Sequence, residues 1–101
     1  MKDITATARI GHTVIARTTH GRLVEGNAYF PEADVLTDAL SSSALTTLCP
    51  WKGVARYRHV TLNGVTVKNA AWTYPLPLPL AWFIRNKIAF EPNTGVTVTG
   101  S

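Results

Sequence analysis

The sequence predicts an all-β domain, mainly antiparallel, with at most one short helix, and three observations predict it. Glycine, proline and asparagine punctuate the chain at short intervals, at Gly11, Gly21, Gly26-Asn27, Pro31, Pro50, Asn63-Gly64, the prolines 75, 77 and 79, and Pro92-Asn93. The segments between them are short and rich in Val, Thr, Ile, Tyr and Trp, which suit a pleated, half-buried surface. Asn63-Gly64 stands between two alternating runs and is the favoured two-residue hairpin turn, because both of its central positions need positive φ.

Taken in order, residues 5–10, 13–18 and 22–25 read as the first strands, divided by Gly11 and Gly21. In 32–44, Ala, Leu and Asp favour a helical turn whereas Ser41-Ser42-Ser43 favours loop, so a turn and an irregular crossing are expected. Residues 54–62 and 65–74 form the hairpin. Pro79 suits the first position of a short helix through Arg85, where its missing N–H costs nothing and Leu80, Phe83 and Ile84 would share a face. Strands over 87–90 and 95–99 complete a single domain of residues 1–101, without repeat or linker.

Setting Leu62 opposite Val65 places Val60 against Val67, His59 against Lys68, Tyr57 against Ala70, Ala55 against Trp72 and Gly53 against Tyr74. Val60, Leu62, Val65 and Val67 then share one face near the tip, and Tyr57, Trp72 and Tyr74 the other face at the open end. Such a change of face suits a strongly twisted sheet with something packed on both sides. It also brings Cys49-Pro50-Trp51-Lys52-Gly53 beside Trp72-Thr73-Tyr74-Pro75.

The 101 residues are 46% hydrophobic and 16% charged, a balance that excludes a disordered polyelectrolyte and leaves one small core. No apolar run approaches the ~18–20 residues of a membrane span, and Met1-Lys2-Asp3-Ile4-Thr5 lacks the apolar stretch of a secretory signal, so a cytosolic protein is expected. The net charge of +4 comes from basic residues scattered along the chain. That pattern reads as a solvated surface rather than a stripe that tracks phosphates, so neither nucleic acid nor membrane is an expected partner. A small organic molecule, polar or anionic, fits better, and the oligomeric state is left open.

The one cysteine, Cys49, can form neither an internal disulfide nor a CxxC metal site. It reads either as a small buried hydrophobe or as a nucleophile, since a cation at Lys52 favours a thiolate. Lys52 is likewise a tuning or anion-binding group, or an exposed lysine at a strand entry. Glu25 and Asn27 flank a turn where a carboxylate and a carboxamide would face a cleft together, or where the carboxylate steadies the turn. Asp34 is expected to accept backbone N–H bonds after Pro31. His12, His20 and His59 have no metal-ligand spacing, so no metal is expected; His59 alone is placed to be tested as an acid–base group, beside Tyr57 and Trp72. Neither a GxSxG, a Walker-type nor a dinucleotide glycine motif is present.

Three ordered elements carry a family resemblance over residues 8–98. Val24-Glu25-Gly26-Asn27-Ala28-Tyr29-Phe30-Pro31 is similar to the EGNxYFP element of the domain of unknown function 427, Cys49-Pro50-Trp51-Lys52-Gly53 to its CPWKG signature, and Asn69-Ala70-Ala71-Trp72-Thr73-Tyr74-Pro75 to its AAWxYP signature. Ile88-Ala89-Phe90 resembles the strand that follows. Two departures stand out: Leu76 replaces an acidic residue between the prolines, and Asn86-Lys87 a glycine-containing turn. The resemblance implies a tent-like, Mss4-like β domain of the kind found in methionine sulfoxide reductase B, with no established reaction; no cofactor is expected of so short a chain. A nucleotidyl-transfer reading would need a Gly-Ser element followed by paired carboxylates, which the sequence lacks. The family elements coincide with the residues gathered by the hairpin, so the expected site comprises Cys49 and Lys52 as catalytic candidates. Glu25, Asn27, Tyr29, Trp51, Tyr57, Trp72 and Tyr74 are the binding candidates. Two functions follow: a binding module with an aromatic-lined pocket around CPWKG, or an enzyme using the Cys49 thiolate.

Overall fold

The computed structural model describes residues 3–100; Met1 and Lys2, where the reading for a secretory signal begins, and Ser101, the end of the expected domain, lie outside them. The strands are β1 (Ile4–Ile10), β2 (Thr13–Val24), β3 (Asn27–Tyr29), β4 (Leu40–Cys49), β5 (Gly53–Leu62), β6 (Val65–Thr73), β7 (Ile88–Phe90) and β8 (Val96–Gly100). They form two antiparallel sheets, ordered β3-β2-β1-β8 and β4-β5-β6-β7. Immediately after β3, Phe30 leaves the first sheet and exchanges both backbone bonds with Ile88 of β7, at 2.7 and 2.8 Å. That single bridge curls the two sheets into a half-barrel. The predicted all-β class is what the chain adopts.

Each sheet residue along the bridge sends its neighbour the other way, because side chains alternate across a strand. Phe30, Ala71, Ile88 and Phe90 face the inner core with Ala6, Ala8, Ile15, Val60 and Val96. Tyr29, Trp72 and Ala89 face a second core with Val24, Ala55, Tyr74, Ala81 and Ile84. The second sheet is thus packed on both sides, as its change of face predicts.

Five expectations need correction. Residues 13–24 are one strand, not two. Gly21 is no turn: it lies opposite Ile4, where a Cβ would crowd Thr18 and Ile4 at 3.1–3.3 Å, so glycine suits the close approach of β1. The segment after Pro31 makes two 3₁₀ turns, Glu32–Asp34 and Thr37–Ala39, and then the ten-residue β4 in place of an irregular crossing. Asp34 there accepts the Thr18 hydroxyl rather than backbone N–H groups. The short helix is a 3₁₀ turn, Pro79–Ile84, whose three-residue period buries Ala81 and Ile84 and leaves Leu80 in solvent.

The fifth correction is the hairpin register. Leu62, Thr61 and Val60 pair with Val65, Thr66 and Val67 as expected, but beyond them Arg58 pairs with Ala71, Tyr57 with Trp72 and Arg56 with Thr73. Three residues of β6 therefore oppose His59 alone. Asn69 takes a positive φ of 54° in this bulge, and its N–H donates to His59 Nδ1 at 3.0 Å. His59 thus serves the bulge rather than the Tyr57–Trp72 pair. β4 carries a matching irregularity between Ser42 and Thr46, opposite Tyr57, and Ser43 donates to the Asn69 side-chain oxygen across β5. Both bulges add an even number of residues, so the side chains beyond them keep their expected faces although their partners change, whereas Ala70, inside the β6 bulge, joins the inner core.

Candidate functional site

Cys49-Pro50-Trp51-Lys52-Gly53 is the hairpin that joins β4 to β5, with Cys49 paired to Gly53. Gly53 holds a φ of +108°, and the chain from Leu76 to Leu78 lies so close over it that a Cβ would contact the Leu76 carbonyl at 3.4 Å. The Lys52 carbonyl accepts the Leu78 N–H at 2.9 Å. The strap thereby ties the turn to the end of β6 and fixes where the Lys52 side chain enters the second core.

Only 6% of Lys52 is exposed, an unusual burial for a lysine, and its surroundings account for it. The ammonium donates to the Glu25 carboxylate and lies 5.5 Å from the Trp51 ring centroid and 5.6 Å from that of Tyr74. Behind it Tyr29 and Trp72 pack edge to face at 6.3 Å, with the Trp72 indole N–H donating to the Tyr29 oxygen at 3.1 Å. Tyr57 flanks Trp72 at 6.0 Å, Tyr74 lies 6.5 Å from Tyr29, and the partly exposed Cys49 packs against the same cluster.

These contacts set the protonation states. Burial alone would lower the Lys52 pKa, but the bond to Glu25 and the tyrosine oxygens together hold it above its ordinary value. The bond from Lys52 holds the Glu25 carboxyl below its ordinary value against the opposing effect of desolvation, and the Lys52 charge and the Trp51 indole add to it. Burial pushes the Tyr29 phenol up, and that of Tyr74 up to about 12, with the Lys52 charge opposing both.

The structure therefore gathers Glu25, Tyr29, Trp51, Lys52, Trp72 and Tyr74, with Cys49 and Tyr57 at the margin. Asn27 is set apart: it lines a cavity of about 300 Å³ at the mouth of the half-barrel, with Ile4, Leu23, Phe90 and Val96 among its walls. The rings of Tyr29, Trp72 and Tyr74 are buried, and among the aromatic side chains of this cluster Trp51, 37% exposed, is the most open to solvent. The strap over Gly53 was missed by sequence reasoning, although a buried glycine between a lysine and a strand is the kind of residue that marks a close backbone approach. No group of three or more His, Cys, Asp or Glu is placed to hold a metal ion among the described residues. Nor is any helix among them long and apolar enough to cross a membrane.

Fold and cluster together define a small half-barrel domain with a buried lysine, set among aromatic rings, that pairs with a carboxylate open to solvent. Residues 3–99 match the family model described as Domain of unknown function (DUF427), and the chain belongs to that family. No curated protein matches it.

Proposed function

We propose that the domain is a binding module for a small polar or anionic organic molecule that docks on Trp51, Lys52 and Glu25 of the CPWKG hairpin and its neighbouring turn. The conformation of Glu25 carries this reading. Glu25-Gly26 turns β2 into β3 with φ values of 53° and 81°, and Asn63-Gly64 turns β5 into β6 with 53° and 80°. The two turns share one geometry, in which asparagine, aspartate or glycine is favoured at the first position and a longer side chain is strained. Glutamate gives up turn stability there and gains the reach to Lys52. An anion arriving beside Trp51 competes with that carboxylate for the ammonium, and the freed carboxylate can accept from a donor on the ligand.

A thermal-shift screen of metabolites tests this. Compounds bearing a carboxylate or phosphate are expected to raise the Tm of the parent. Lys52→Met should abolish the shift, and Glu25→Gln should strengthen anion binding by about tenfold, because a competing charge is removed. A screen without stabilising compounds, or equal shifts in Lys52→Met, would contradict the reading.

The enzymatic alternative is favoured by one observation: the Cys49 thiol is partly exposed and packs on the same cluster. In this reading it attacks an electrophile held beside Lys52. Alkylation of Cys49 that is no faster than that of a free thiol, and unaffected by Lys52→Met, removes it. A partly exposed free thiol also suits a reducing compartment, in keeping with a cytosolic protein.

A further inference from the structure

The cavity of about 300 Å³ that Asn27 lines opens onto the inner core. Ala6, Phe90 and Val96 form its buried floor, and the exposed Leu23 and Val98 stand at its rim. None of its lining residues is charged, and Asn27 contributes the one polar side chain among them. The backbone gives no reason for an asparagine at this position. The chain holds five, and Asn63, Asn69, Asn86 and Asn93 all take positive φ values, a conformation that asparagine tolerates better than most residues. Asn27 is the exception: it follows the Glu25-Gly26 turn as the first residue of β3, paired with Val24 in a strand conformation that disfavours asparagine. Its carboxamide forms no hydrogen bond among the described residues. In half-buried surroundings such a group costs stability without return from its neighbours.

We infer that this cavity is a second binding site, for a neutral, mainly apolar molecule that carries a lactam or other cyclic amide edge. A carboxamide presents an N–H donor and a carbonyl acceptor side by side, and a lactam presents the same two groups in complementary order. The Asn27 N–H then donates to the lactam carbonyl and its oxygen accepts the lactam N–H, while the apolar body lies against Phe90, Val96 and Leu23. A carboxylate or an amine is disfavoured, because no lining side chain would pair with its charge once it is desolvated. The volume admits about ten non-hydrogen atoms or a few more, a compound of one or two rings at the small end of ligand pockets. Since the lining is uncharged, the inference does not rest on Lys52 or on the reading of the CPWKG hairpin.

Titrating carbostyril, a two-ring lactam, into the whole chain with amide shifts followed by NMR tests it; N-methylcarbostyril, which lacks the donor, is the comparison. Shifts are expected at residues 26–28, 90 and 96–98, with the methylated compound binding about tenfold more weakly. Asn27→Leu keeps the size of the side chain and breaks no bond within the fold. It should leave Tm unchanged or raised, weaken carbostyril by about tenfold, and abolish its advantage over the methylated compound. Shifts centred on residues 51–53 or 76–78 would overturn the inference. So would an advantage that survives in Asn27→Leu, a Tm lowered by that substitution, or an absence of binding up to the solubility of the probe.

Discussion

Trp72→Ala is expected to lower the unfolding free energy by about 3–5 kcal/mol, the usual cost of truncating a buried aromatic ring. The ring is 7% exposed and packs between Tyr29 and Tyr57 at the centre of the second core. Its removal opens a cavity and deprives the buried Tyr29 oxygen of its indole donor. Trp72→Phe separates the two effects: it keeps most of the packing and loses the donor, so a cost of about 1–2 kcal/mol is expected. Denaturant unfolding of both variants measures this. A loss under about 1 kcal/mol in Trp72→Ala would mean that the ring is the wall of a ligand pocket and not core.

Alkaline pH is expected to produce the second large effect. The Tyr74 phenol has an ordinary pKa of 10.0 and is raised to about 12 in the folded protein, because burial disfavours the phenolate. The folded state therefore prefers the neutral phenol. Its contribution is whole below pH 10 and is lost as pH climbs from 10 toward 12, on the order of 2–3 kcal/mol in all. Lys52 acts in the same direction: its raised pKa stabilises the fold below 10.5, and the gain disappears as pH rises through the folded value. Glu25 works at the acid end, where the benefit of its lowered pKa is lost as pH falls below 4.5. Unfolding measured at about pH 9 and about pH 11 should show the parent losing stability and Tyr74→Phe losing distinctly less. Equal losses in the two proteins would show that Tyr74 ionises as freely folded as unfolded.

What the sequence discloses follows from how local the cause is. Asn63-Gly64 is legible because two adjacent positive φ values demand those residues and nothing distant is involved. β4 is not: Ser41-Ser42-Ser43 and Thr46-Thr47 carry no apolar alternation, and the segment is extended because β5 supplies its hydrogen bonds. The register beyond His59 is set by Asn69 and by Ser43 reaching it from two strands away, a tertiary cause that no window of sequence contains.

The site was legible in a different way. Trp51, Lys52, Trp72 and Tyr74 meet as the hairpin predicts, since a two-residue slip leaves them on the same face. The near-complete burial of Lys52 was not legible, because it depends on a carboxylate arriving from the β2–β3 turn and on two rings. Asn27 turns to the mouth cavity instead, as the direction a side chain takes out of a tight turn is decided by the strands it joins.

The paired bulges have a consequence for how such a domain can change its length. β5 runs straight between two neighbours that each carry a surplus of two residues, at Ser42–Thr46 and between Val67 and Ala71. A single deletion in either loop-out would exchange inside for outside along the remaining half-strand, turning Trp72 or Cys49 away from the second core. Removing two residues would only pull the surplus taut. Insertions and deletions in β4 and β6 are therefore tolerated in steps of two, so descendants of this chain can grow or shrink there only by whole pleats.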